Sequence, residues 1–363
     1  MKKLLVFNCH EAYVHQLSAI GYPMDVIVGL KGRYKEQWDT QIRPAPPNAR
    51  FVSLEQARES RTEYYCIIAH NISDLMDVKH RPEPRLLIIH STLEGRTAEE
   101  DTDISPEKMK KTLSTYLKLI AAHPVAVSAL KARSWGFVDD VVPFAVDTDD
   151  YLPWEGDCAA GLRICNFISS RKNILLWDFH LRAFEDSPVR LIGHNPDMPG
   201  VQAADSWNDL KESLSAHRFY IHTADPKMED GYNMATLEAM AAGLAVLSNN
   251  HPSSPIEHGR NGFLSDDPAE LAGFARQLLD DHDLAAKMGQ NARRTVAEQF
   301  SIEKFRKGMI NSIETARQKA TRRLAKDLSP RKTQKTRPII DIHPPSETPS
   351  PESAPLHKHK TND

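Results

Sequence analysis

Short, wholly apolar runs of strand length alternate with helical stretches along most of this chain, and the alternation stops once and begins again. LLVF (residues 4–7), CIIA (66–69) and, after Arg85, LLII (86–89) are apolar through their length rather than at every second residue. A strand with one wet face alternates; a strand buried on both faces does not. Helices between such strands give the repeating unit of a parallel sheet covered on both sides. Strands are expected over 3–9, 24–30, 50–54, 65–69, 85–90, 125–128 and 141–144. Helices are expected over 11–20, 33–42, 72–78, 106–122 and 129–135, with a polar loop over 91–105. After Val146 the chain turns polar (DTDDYLPWEGD), which reads as a linker. The pattern then resumes, with strands at LRICNF, VRLIGH, RFYIHT, LAVLS and near NGFLS. Helices are expected over 173–184, 207–216, 269–280 and 284–300.

The 363 residues suffice for two domains. The expected fold is α/β: two Rossmann-like, doubly wound parallel-sheet domains facing a central cleft. The N-terminal domain spans 1–148 and the second 149–301. A C-terminal helix over 302–327 carries Phe305, Met309, Ile313, Ala316 and Ala320 on one stripe. Residues 328–363 form a Pro-, Ser-, Thr-, Lys- and His-rich tail, expected to be disordered. Ligands of such sheets bind at the carboxyl ends of the strands.

A net charge of −3 implies no nucleic-acid partner. No apolar run approaches the roughly 20 residues of a membrane span. MKKLLVF starts like a signal peptide, but its apolar run is too short and ends at Asn8, Cys9, His10 and Glu11, so it reads as a first buried strand. Cys9, Cys66, Cys158 and Cys165 have no metal-type spacing, a reduced, cytoplasmic pattern.

The most informative stretch runs from Asp230 to Gly243, DGYNMATLEAMAAG. Asp230 and Gly231 signal a turn, Met234 to Ala242 are helix formers, and Gly243 stands where a helix stops. Amides near Gly231, Tyr232 and Asn233 would face an anion at the helix start. Asp230 and Glu238 could then hold sugar hydroxyls and a ribose on either side of a diphosphate. Taken alone, the stretch reads equally as a buried helix with a capping Asp and an exposed Glu.

The segment resembles the donor motif of the retaining glycosyltransferases of family 4, which have the GT-B fold: an acid, seven residues, Glu, then Ala-Met-Ala-x-Gly and an apolar strand. The family's first acid is Glu; here Asp230 stands there, with Glu229 beside it. VVPFAVDTDDY is similar to the family's interdomain signature, HGRNGFLSDDPAEL to its turn into the last strand, and MGQNARRTVAEQF to the helix that follows. The similarity spans roughly residues 138 to 305.

The resemblance implies transfer from a nucleoside-diphosphate sugar to a glycan or lipid-linked acceptor, with retention and no metal or other cofactor. Cell-envelope polysaccharide assembly is the family's commonest work. Asp230 or Glu229 would orient sugar hydroxyls and Glu238 the ribose. Gly231, Tyr232, Asn233, Met234 and His194 would line the donor. Arg171 and Lys172, opening a helix after LRICNF, would face the diphosphate, with Lys172 favoured. His90 would face the donor sugar. His10, Glu11 and His70 are assigned to the acceptor side, where the family's Gly-rich loop is missing. The basic run Arg317–Arg337 could bind an anionic membrane peripherally, although a solvated helix end is the plainer reading. Rival functions are a non-hydrolysing sugar-nucleotide epimerase and a degenerate GT-B protein that binds without turnover.

Overall fold

The computed structural model describes the backbone of residues 2–33, 36–100 and 104–328. The first lobe comprises β1 (Leu4–Phe7), α1 (Glu11–Gln16), β2 (Met24–Val28), β3 (Ala49–Ser53), α2 (Leu54–Glu59), β4 (Cys66–Ala69), α3 (Ile72–Asp77) and β5 (Arg85–Ile89). It continues through α4 (Leu93–Glu100), α5 (Pro106–Leu119), β6 (His123–Ala126), α6 (Ala129–Trp135) and β7 (Asp140–Val141). The second lobe comprises β8 (Cys158–Ile164), α7 (Trp177–Ala183), β9 (Val189–Ile192), α8 (Trp207–Ala216), β10 (His217–Ile221) and α9 (Met234–Ala242). It closes with β11 (Ala245–Ser248), β12 (Gly262–Leu264), α10 (Pro268–Asp280) and α11 (His282–Gln299), before α12 (Ile302–Leu328).

The strands form two parallel sheets, ordered β3-β2-β1-β4-β5-β6-β7 and β12-β11-β10-β8-β9. Each sheet is buried on both faces, so each lobe has two apolar clusters. Leu4, Val6 and Ile68 enter one side of the first sheet, while Leu5, Phe7 and Ile67 enter the other. This is the packing that demands uninterrupted apolar strands.

Three expectations are corrected. The described residues of 33–42 form no helix: Gly29 and Gly32 take positive φ (76° and 74°), and the Gly32 N–H donates to Glu36 Oε1 at 2.7 Å, folding tight turns. The polar stretch 91–105 contains α4, too poor in apolar residues to show a helical period but started by Thr92, whose Oγ1 accepts from the Gly95 N–H at 2.9 Å. The helix expected from Asn173 begins at Trp177, after Leu176 adopts a left-handed φ of 47°.

The last helix is not an appendage of the second lobe. It crosses back, and Phe305, Met309, Ile313 and Ala316 complete the core beneath β1, β4, β5 and β6. Phe144, in the crossing from the first lobe, packs on the cores of both. The chain therefore passes twice between the lobes. The tail expected beyond 328 lies outside the described residues.

His180 on α7 is buried and stacks on Trp177, ring centroids 4.5 Å apart. Burial, helped by the Arg163 charge, lowers its pKa to about 2. The unfolded chain therefore binds a proton below pH about 6.5 that the folded ring refuses, and stability falls with acid by up to about 1.4 kcal/mol per pH unit. His180→Leu is expected to flatten this limb. Urea midpoints measured from about pH 7 to about pH 5 check it, and equal slopes in both proteins would contradict it.

Candidate functional site

The second sheet reverses its order between β8 and β10, because β9 joins one side of β8 and β10 the other. Open parallel sheets leave a crevice at such a point. The loop after β8 carries Arg171, and the loop after β10 carries Glu229 and Asp230. The first sheet reverses between β1 and β4. Cys9 and His10 follow β1, His70 follows β4, and His90 follows β5.

The two crevices meet. Lys131 stands in the first turn of α6, started by Ser128, whose Oγ accepts from the Lys131 N–H at 3.1 Å. Its Nζ crosses to the second lobe, 2.7 Å from Glu229 Oε1 and 2.9 Å from Asp230 Oδ2. Burial alone would lower the Lys131 pKa, but Glu229 and Asp230 outweigh it and hold the ammonium charged, above the usual lysine value. Asp230 is 1% exposed. Its second oxygen, Oδ1, has no hydrogen-bond partner among the described residues. A buried carboxylate oxygen without a donor is costly unless something else supplies one.

Arg171 links the same cluster to α4: its Nε lies 3.0 Å from Glu99 Oε1 and its Nη2 lies 3.5 Å from Glu229 Oε2. Lys172, the cation favoured from sequence, is exposed and makes no ion pair among the described residues. The helical turns after β8 bring Arg171, not its neighbour, to the acids. Thr92 Oγ1 donates to the Met228 carbonyl at 2.6 Å. Beside it Gly95 lies so close that a Cβ would sit 2.3 Å from that carbonyl oxygen.

Glu238, expected to be exposed by the plainer reading and to hold a ribose by the other, is buried and paired with Arg43 of the first lobe. The Arg43 guanidinium also lies over the Trp207 ring, 3.5 Å from its centroid. Burial lifts the Glu238 carboxyl above the usual glutamate value in spite of Arg43.

The start of α9 differs from expectation. Asn233 and Thr236 form a capping box, Asn233 Oδ1 accepting from the Thr236 N–H at 2.8 Å while Thr236 Oγ1 accepts from the Asn233 N–H. The Gly231 N–H donates to Ser253 Oγ at 3.0 Å. Two amides expected to face an anion thus have partners inside the lobe. Tyr232 is a core residue against Phe300, and Met234 is half-buried. His194 is exposed, its ring 5.0 Å from that of Phe167.

On the facing lobe, His70 Nδ1 and His90 Nε2 are 2.9 Å apart. The His90 ring also meets Tyr13 at 4.8 Å and His10 at 5.5 Å. Burial, then His70, His10 and Lys131, lower the His90 pKa well below the usual value. Glu11 is buried at the start of α1 and accepts from the Asp39 N–H at 3.3 Å. The basic run, read from sequence as a solvated helix end with membrane contact as the alternative, is partly engaged inside the protein: Arg317 donates to the Tyr65 carbonyl at 3.1 Å and Lys319 lies 2.8 Å from His123 Nδ1.

Cys9, His70 and His90 bring one potential ligand atom each within 4.8 Å of one another. Sequence spacing excluded a metal-type group; these three come from separate strands.

Compared with solved structures, the chain superposes along most of its length on other two-lobed proteins. The Anabaena protein Alr3699/HepE, in complex with UDP and glucose, aligns with a TM-score of 0.66 at 14% identity, over 86% of this chain and 100% of that one. The sucrose-phosphate synthase of Thermosynechococcus elongatus aligns with a TM-score of 0.59 at 15% identity, over 90% and 100%. The fold is GT-B.

Within this GT-B chain, residues 184–281 match the family model of the glycosyl transferases group 1. That stretch includes Glu229, Asp230 and Glu238, and excludes Arg171 and the whole first lobe. The N-acetyl-alpha-D-glucosaminyl L-malate synthase of Bacillus anthracis is 38% identical over 81 residues, 21% of this chain and 21% of that protein. The D-inositol 3-phosphate glycosyltransferase of Streptomyces avermitilis is 37% identical over 73 residues, 19% and 16%. The sequence matches to these curated relatives therefore span about a fifth of their length. Among the described residues, no helix of the GT-B lobes is long and apolar enough to cross a membrane.

Arg43, Lys131, Thr92 and Trp207 are the site residues that sequence reasoning missed. Lys131 left one signal: a lysine at the third position after a Ser cap, on the apolar side of a short helix.

Proposed function

We propose that the chain is a retaining glycosyltransferase, taking a sugar from a nucleoside diphosphate to a glycan or lipid-linked acceptor without a catalytic metal. The observation that carries this is the buried Oδ1 of Asp230, without a hydrogen-bond partner among the described residues, beside Lys131 at the switch point between two facing lobes. A sugar hydroxyl would donate to it. Lys131 and Arg171 would balance the departing diphosphate, and His90 would face the sugar from the other lobe. Glu238 would take the ribose once Arg43 withdraws. UDP is the first nucleotide to try, since Alr3699/HepE binds it.

The test is a thermal-shift screen of UDP-, GDP- and ADP-sugars, followed by donor hydrolysis with the best of them. Asp230→Asn keeps the side-chain volume and leaves Glu229 to hold Lys131. Removing one preorganised polar contact at such a site lowers turnover by about 100-fold or more. Wild type that binds but turns over no faster than Asp230→Asn, with or without acceptor glycans, would favour the second reading, a binding module. That reading is motivated by Arg43 already occupying Glu238.

A further inference from the structure

The sheet order places β1, β4 and β5 side by side, and each strand delivers a metal-ligand side chain to the same end. His70 follows β4 directly, His90 follows β5 directly, and Cys9 comes two residues after β1. The Cys9 sulfur and one nitrogen from each ring lie within 4.8 Å of one another. Tetrahedral Zn2+, with bonds of about 2.3 Å to sulfur and about 2.0 Å to nitrogen, needs donor atoms about 3.3–3.8 Å apart. Binding would draw the three side chains to that spacing.

A second observation points the same way. His70 is 8% exposed, and its Nε2 has no hydrogen-bond partner among the described residues. The Phe7 carbonyl acts on the ring, without the geometry of a hydrogen bond to that nitrogen. The backbone of His70 is fixed in turn, its N–H donating to Asp74 Oδ2 at 2.9 Å. The ring thus carries a buried nitrogen with no hydrogen-bond partner among the described residues.

We propose that Cys9, His70 and His90 form a binding site for a thiophilic divalent cation, Zn2+ by preference, with a fourth position open beside His10. One thiolate and two imidazoles suit zinc or cobalt and disfavour magnesium or calcium. The bond to sulfur forms as the thiol proton leaves for solvent, and each imidazole ligates as the neutral ring, its proton on the other nitrogen. The site uses the first lobe only but shares His90 with the donor reading, so cation and donor sugar would compete for that ring. Occupation also takes His90 out of the cleft.

The full chain, stripped with EDTA, is titrated with Co2+. A thiolate-to-cobalt charge-transfer band with visible bands of tetrahedral cobalt is expected, saturating at one equivalent and displaced by Zn2+. Cys9→Ser removes the charge-transfer band. His70→Asn and His90→Asn each weaken binding at least tenfold, and Cys158→Ser, at an exposed position, changes nothing. Zn2+ raises the melting temperature of wild type but not of Cys9→Ser, which also reports that the variant folds. Absence of the band in wild type, its survival in Cys9→Ser, or equal Zn2+ stabilisation of all variants would overturn the site.

Discussion

Lys131→Ala lowers folding stability by about 3–5 kcal/mol and abolishes donor turnover, because it strips the counter-charge from two acids inside the protein. The lysine is 3% exposed and lies within 3 Å of both Glu229 and Asp230. An ion pair in water contributes about 1 kcal/mol or less. This one is sealed between lobes, so removal leaves negative charge in a medium that solvates it poorly. Chemical denaturation measures the loss. The triple variant Lys131→Ala, Glu229→Gln, Asp230→Asn recovers most of the stability while remaining inactive, since the charges are then gone in balance. A Lys131→Ala loss below about 1 kcal/mol would show that water reaches the cluster, and the buried-site account would fail.

Arg43→Ala has an effect of similar size on stability and the opposite effect on binding. Arg43 and Glu238 are both buried and pair across the lobes, with Trp207 beneath the guanidinium. Truncation leaves Glu238 without its cation, a change that costs about 3–5 kcal/mol for buried pairs. In the proposed reading the same carboxylate holds the ribose, so the Arg43 contact competes with nucleotide. Removing a competitor raises the fraction of molecules ready to bind. Calorimetry should then show UDP binding more tightly to Arg43→Ala than to wild type, against a lower melting temperature without ligand. Weaker binding would make Arg43 a ligand of the nucleotide instead.

The two-sheet architecture was readable because doubly buried strands such as LLVF and CIIA are apolar through their length, and this leaves a local signature. The strand and helix of the Asp230–Gly243 unit were readable for the same reason. What escaped was set by distance in sequence. Lys131 meets Asp230 only because α6 and the loop after β10 face each other. Arg43 sits in a stretch of turns with no period, and nothing local marks it as a partner of Glu238. Cys9, His70 and His90 converge through strand order, which spacing along the chain does not encode. The amides misread at the start of α9 have local partners: Asn233 and Thr236 satisfy each other, and Ser253 Oγ accepts from the Gly231 N–H. The polar helix α4 was hidden because its stability comes from a Thr92 cap and contact with α5 and α6 rather than from an apolar face.

The central claim is that a donor sugar lies against Asp230 Oδ1, and it is tested most directly by comparing dissociation constants for UDP and UDP-glucose in wild type and Asp230→Asn. If the thermal-shift screen favours another base, its diphosphate and sugar form replace this pair. Wild type is expected to hold the sugar nucleotide more tightly than the bare nucleotide, and the variant to bind both alike, because only the sugar reaches that oxygen. An unchanged preference in Asp230→Asn, or no binding of any nucleotide to the wild type, would contradict the account.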